Sequence, residues 1–290
     1  MEDAMKNVAP KTILHSLADA YYETLIEKTD PVVKNWPLVN RDGLNLIIIL
    51  SYVIFVNYLG PGLMKYRRPM DLRWLMVPYN IALVIVNFYI FYGYAKIRWS
   101  GEASTSCTTL AVDQSPVTYR LAEITWWFYI TKYIELMDTV FFVLRKKDRQ
   151  LSRLHLIHHS TVPLIIWGML RFEPGGYNSF FPLANSFVHC VMYTYYGISA
   201  LGDDVTVHLK FKKYVTMTQM IQFILVLCYF FSRPFFACNY TKLSGGVNIF
   251  IAGFFFILFT NFYWNEYCKK CEETAQMEAS TSNGMKCKKI

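Results

Sequence analysis

Lys132-Tyr133-Ile134-Glu135-Leu136-Met137-Asp138-Thr139 and His155-Leu156-Ile157-His158-His159 decide the fold, because both lie in or beside apolar stretches long enough to cross a bilayer. A lysine, two carboxylates and three histidines are costly in hydrocarbon; where such groups occur there, they face a bundle interior or a water-filled cavity. The two strings therefore mark the inner helices of a membrane bundle. Outward from them, apolar segments fall at about 44–64, 75–95, 122–144, 156–172, 177–201, 214–236 and 247–266. Each is close to the roughly 20 residues that a spanning helix needs. The expectation is an all-α membrane protein with seven transmembrane helices. It divides into an amino-terminal segment 1–43, a seven-helix domain 44–266 and a polar tail 267–290, expected to be disordered. Within the first segment, residues 12–28 read as an interfacial amphipathic helix, with Leu14, Leu17, Tyr21 and Leu25 along one stripe.

Composition agrees. The 290 residues are 54% hydrophobic, 17% aromatic and only 17% charged, where a soluble domain carries about a quarter charged residues. The net charge of +8 invites a nucleic-acid reading, but the basic residues sit in short clusters between apolar runs, as membrane topology produces, and no nucleic-acid motif accompanies them. One set of connections holds Lys65, Arg67, Arg68 and Arg73, then Arg145, Lys146, Lys147, Arg149 and Arg153, then Lys210, Lys212 and Lys213, then the basic tail. These far outnumber Lys96, Arg98, Arg120, Arg171, Arg233 and Lys242 on the opposite side. The positive-inside rule puts the richer set in the cytosol and the amino terminus in the lumen. Asn239-Tyr240-Thr241 is a glycosylation sequon in an expected lumenal loop. Cys107 and Cys238 fall in lumenal connections, where a disulfide between them is expected.

On a continuous third helix, Lys132, Glu135, Asp138 and Thr139 lie within about 120° of arc. Lys132 and Glu135 are spaced to neutralise each other, either as a site or as an ion pair that only holds helices in register. His155, His158 and His159 share a helical face, and His189, Met192, Tyr193 and Tyr196 share another. Three kinds of protein fit such a set. One is a membrane di-iron desaturase or hydroxylase, whose histidine boxes HxxHH resembles; those enzymes use many more histidines than this chain offers, so no metal site is expected. A second is a seven-helix receptor, in which the Lys/Glu/Asp and His pattern has no role. The third is acyl transfer with imidazole as nucleophile and general base. Cys190 is a rival nucleophile, but it points about 100° away from His189 on a helix.

Four strings in order give a resemblance. Lys132 to Thr139 fits KxxExxDT, His155 to His159 fits HxxHH, His189 to Tyr196 fits HxxMYxYY, and Thr216 to Gln222 fits TxxQxxQ. With Asn185-Ser186-Phe187-Val188 before His189, the chain closely resembles the elongases of very long chain fatty acids. The resemblance implies six of the seven helices forming an inverted barrel around an acyl tunnel. It implies condensation of a long-chain acyl-CoA with malonyl-CoA, giving a 3-oxoacyl-CoA two carbons longer, CO2 and CoA, with no bound cofactor. His158 and His189 match the pair implicated in a ping-pong scheme, with His155 and His159 orienting or lining. Gln219 and Gln222 are candidates for the pantetheine or a carbonyl. Arg145, Lys146, Lys147, Arg149, Arg153, Lys210, Lys212 and Lys213 are candidates for the CoA phosphates. The resemblance also implies a dimer, association with the reductases and dehydratase of the elongation cycle, and residence in the endoplasmic reticulum. Lys286 and Lys288 in Lys286-Cys287-Lys288-Lys289-Ile290 look like a dilysine retrieval signal for that membrane.

Overall fold

A computed structural model describes residues 28–100, 115–202, 211–232 and 242–269. The expected helix over 12–28 lies outside them except for its last residue, and so do Cys107, Cys238, Asn239, Lys210, Lys286 and Lys288. Among the described residues the regular structure is all helical. Helix α1 runs Asp42–Met64 with a π-helical turn at Phe55–Leu59. It is followed by α2 (Arg73–Trp99), α3 (Pro116–Ile134), α4 (Leu136–Leu144), α5 (Arg153–Phe172), α6 (Phe180–Ala200), α7 (Lys212–Ser232) and α8 (Lys242–Tyr263), the last continued by a π-helical turn at Trp264–Lys269. Local chemistry sets several ends. Ser115 and Pro116 start α3, with the Ser115 hydroxyl accepting from Thr118 N at 3.3 Å. The Ser152 hydroxyl caps α5 by accepting from His155 N at 3.2 Å.

Four of these helices are long and apolar enough to cross a membrane: Asp42–Met64, Arg73–Trp99, Lys212–Ser232 and Gly245–Lys269. At about 1.5 Å per residue, the 23 residues of α1 cover the roughly 30 Å hydrocarbon core. Their outer faces carry Leu46, Ile47 and Leu50, then Ile81, Ile85 and Phe88, then Phe250 and Ile257, all exposed. Such faces suit lipid, and the chain reads as a multi-pass membrane protein. Helices α3, α5 and α6 carry the polar strings and fall short of the same apolar standard, and α4, with 9 residues, falls short in length.

The third apolar segment is not the single rod expected. Helix α3 ends at Ile134 and α4 starts at Leu136, with Glu135 at the joint. Glu135 N still bonds Thr131 O at 2.8 Å, but Asp138 N bonds Glu135 O at 3.2 Å, a tighter i to i+3 turn. This turn interrupts the regular i to i+4 pattern between α3 and α4. Packing follows a closed order: α2 against α6, α6 against α7, α7 against α8, α8 against α5, α5 against α3, and α3 against α2. Helix α1 lies outside this order, on α5 and α4. Gly60 brings α1 onto α4, since a Cβ there would stand 2.7 Å from Val143 Cγ1. The apolar core, from Ile90 and Ile124 through Phe128 and Ile166 to Phe223 and Phe255, fills the space between the packed helices.

Arg171, counted by sequence among the residues of the lumenal side, is fully buried at the end of α5. Its guanidinium pairs with Asp42 in the first turn of α1, donates to Thr29 Oγ1 at 2.7 Å and stacks 5.0 Å from the Trp167 ring. Its backbone oxygen accepts from Asp30 N. This cluster straps the segment before α1 onto the bundle.

Candidate active site

A cavity of about 520 Å³ opens among α4, α5, α6 and α7. The four membrane histidines, His155, His158, His159 and His189, all line it, with Asp138, Asn185, Met192, Tyr196, Gln219 and Gln222. Thus residues far apart in the chain, from Asp138 to Gln222, meet at one place. At the mouth are Arg145, Lys147, Arg149 and Lys212. Lys146, Arg153 and Lys213 are not part of the lining; Arg153 is exposed and Lys213 stands over the Tyr263 ring. Glu266 lies 3.6 Å from Arg149 Nη2 and 3.8 Å from Lys212 Nζ, bridging the two cations.

Behind the lining is a second row. Lys132 and Glu135 are 2% and 1% exposed. Lys132 Nζ donates to Glu135 Oε1 at 2.8 Å, Glu135 Oε2 at 3.0 Å and Asn185 Oδ1 at 3.1 Å. An ammonium has three protons, and these acceptors take all of them. His189 Nδ1 lies 3.1 Å from Glu135 Oε1 and 3.4 Å from Lys132 Nζ. With the lysine protons committed, Nδ1 carries the ring proton and donates to Glu135. This leaves Nε2 of His189 with its lone pair, as a base or nucleophile requires. Carboxylate, ammonium and amide together also satisfy a pair of buried charges that would otherwise be costly.

His155 is held differently. Its Nε2 is 2.8 Å from Thr139 Oγ1, which is 2.8 Å from Tyr52 OH. Its ring stacks on His159 at 4.2 Å. The His158 ring packs against other rings, at 5.3 Å from His159, 5.2 Å from Phe255 and 6.2 Å from Phe259. Among the described residues no hydrogen bond ties it down, so its nitrogens are available to whatever enters. Tyr193 OH donates to Asp138 Oδ2 at 2.8 Å, and Gln219 Nε2 meets Met192 Sδ at 3.4 Å. Cys190 turns away from the cavity, its thiol 3.7 Å from Val84 O.

Of the residues singled out by sequence, the four histidines, Asp138, Met192, Tyr196, Gln219 and Gln222 line the cavity, and Lys132, Glu135, Thr139 and Tyr193 do not. Sequence reading gave no role to Asn185, which joins Lys132 to Gln222, or to Tyr52, which completes the Thr139–His155 chain. A lone Asn or Tyr in an apolar helix signals an internal hydrogen bond, but names no partner.

The comparisons with known proteins fit this geometry. The model of the ELO: GNS1/SUR4 family matches residues 37–275, across every element that builds the cavity. The chain belongs to the ELO family. Among ELO relatives, it is 40% identical over 258 residues to "Very long chain fatty acid elongase 1" of Mus musculus, covering 88% of this chain and 92% of that protein. It is 39% identical over 257 residues to "Very long chain fatty acid elongase 7" of Drosophila melanogaster, covering 87% and 77%. It is 39% identical over 250 residues to "Very long chain fatty acid elongase 1" of Homo sapiens, covering 86% and 90%. The family resemblance drawn from the four motifs holds over nearly the whole chain.

Proposed function

We propose that this chain is a condensing enzyme of fatty-acid elongation, an acyltransferase of the 3-oxoacyl-CoA synthase type. A long-chain acyl-CoA and malonyl-CoA become a 3-oxoacyl-CoA two carbons longer, CO2 and CoA. The observation that carries this reading is one cavity holding an untethered imidazole, His158, beside a second imidazole, His189, whose tautomer is set by a buried carboxylate. No metal or cofactor is invoked.

His158 adds to the thioester carbonyl. A C–N bond forms, the C–S bond breaks, and CoA leaves as the thiol with the proton that imidazole loses. His189 Nε2 is placed to carry that proton. Malonyl-CoA then loses CO2, and the electron pair of the broken C–C bond becomes an enolate. The enolate carbon attacks the acyl-imidazole, a C–C bond forms, and the C–N bond breaks as imidazole takes up a proton from water, the one proton that the net reaction consumes. Arg145, Lys147, Arg149 and Lys212 at the mouth suit the phosphates of CoA. Seven spans are proposed, with α3 and α4 forming one of them and six enclosing the cavity as a barrel. The amino terminus is lumenal, the tail cytosolic, and the membrane that of the endoplasmic reticulum. A homodimer working with the reductases and dehydratase of the cycle completes the proposal, with saturated and monounsaturated long chains as substrates.

Purified protein given an acyl-CoA and isotopically labelled malonyl-CoA tests it. The expected product is the 3-oxoacyl-CoA, with an acyl adduct on His158 in a single turnover without malonyl-CoA. His158→Ala abolishes both. A desaturated or hydroxylated product, or an adduct on Cys190 and none on His158, overturns it.

A further inference from the structure

Gln222 is 3% exposed and lines the cavity, yet its Nε2 has no hydrogen-bond partner among the described residues. Which end of the amide is the nitrogen follows from the neighbours. Lys132 Nζ offers only protons, so the atom of Asn185 that faces it at 3.1 Å is Oδ1. Asn185 Nδ2 is thereby turned to Gln222, and the atom it meets, at 3.5 Å, is Oε1. Nε2 is left over as a donor. A buried donor without an acceptor is destabilising, and nothing in the wall relieves it. The acceptor must come with what the cavity admits.

We propose that Gln222 Nε2–H is a donor to the oxyanion of the condensation, with Asn185 and Lys132 as the positioning residues that keep the amide turned this way. The proposal rests on the condensation reading above. Negative charge develops on a carbonyl oxygen twice in that reaction: when His158 adds to the thioester, and when the enolate adds to the acyl-imidazole. A donor fixed before the reaction stabilises both states and spends nothing on reorientation. Gln222 itself gives up no proton. It holds the oxygen while the C–S bond breaks in the first step and the C–N bond in the second. The charge on Lys132 reaches the oxyanion through two amides, each polarised by the one before.

The test begins with the wild-type protein, an acyl-CoA and labelled malonyl-CoA. No condensation product from the wild type removes the reading of the previous section and this inference with it. With an active wild type, Gln222→Met is expected to lower kcat by about 10²–10³-fold and leave KM for acyl-CoA nearly unchanged. A kcat within about threefold of wild type, or a change confined to KM, overturns this inference alone. A second measurement covers a variant too unstable for kinetics. In a His158→Ala background, which binds acyl-CoA without being acylated, the 13C-labelled thioester carbonyl stretch is read by isotope-edited infrared. It is expected at lower wavenumber with Gln222 present than in His158→Ala/Gln222→Leu, which removes the donor. Equal bands overturn the donor role. In the same background Asn185→Leu lets the Gln222 amide turn over and broadens or splits the band; an unchanged band overturns the positioning role.

Discussion

Two charged clusters are buried in this bundle, and they are built to opposite purposes. Arg171 and Asp42 meet where the last turn of α5 reaches the first turn of α1. A cation at a helix carboxyl end and an anion at a helix amino end are each favoured by the backbone dipole. Thr29, Asn40 and the Trp167 ring also hold the guanidinium, and none of these groups lines the cavity. Lys132 and Glu135 meet instead at a break between two helices, and their remaining capacity goes to His189 and Asn185, which do line it. The first pair fastens one helix end to another, away from the cavity. The second passes its polarity on to groups that face substrate. Burial of opposite charges does not separate the two cases; what the neighbours of the pair touch does.

Glu135→Gln breaks the comparison most sharply. The amide oxygen turns to Lys132, its NH2 turns to His189 Nδ1, and the proton moves to Nε2. Condensation is expected to fall by about 10³-fold or more, as when a carboxylate that sets a catalytic tautomer becomes an amide. The buried Lys132 ammonium loses its counter-charge, so the melting temperature in detergent falls as well and turnover is read per folded molecule; a variant that keeps its activity defeats the tautomer argument. Arg171→Met costs stability alone. It takes the buried guanidinium away from Asp42 and Thr29, at a cost of up to about 3–5 kcal/mol, seen as a lowered melting temperature, while turnover per folded molecule is unchanged. A turnover defect at undiminished stability would move Arg171 into the site. Thr139→Val, which removes the hydroxyl between Tyr52 and His155, is expected to cost about 1–3 kcal/mol and to lower kcat less than Glu135→Gln does. Cys190→Ala is the smallest change, with turnover within about twofold of wild type and no lost adduct.

The comparison also marks how far the chain could be read before its structure. Apolar segments and polar strings locate the inner helices because hydrocarbon tolerates such strings only inside a bundle. They could not show that the 122–144 segment breaks at Glu135, since the local tightening leaves no glycine or proline behind as a signal. For the same reason the four polar residues, read as one stripe, divide in space. Lys132 and Glu135 go to His189, Asp138 to Tyr193, and Thr139 to His155. Arg171 was legible as a charge but not as a buried one, because its partner Asp42 lies in a different helix and belongs to no motif. Asn185 and Tyr52 stayed silent for a similar reason: each is a single polar atom pair whose meaning depends on what the fold sets against it.

Glu266 has a consequence for traffic through the mouth. Arg149 and Lys212 already share that carboxylate across the entrance, so in the proposed reaction an arriving CoA pyrophosphate would not fall onto bare cations. It has to trade places with an anion fixed to the protein itself, and a departing one is replaced as it goes. A gate arranged in this way favours quick exchange over tight retention, which suits the proposed reaction, in which one thioester carrier leaves before the next enters.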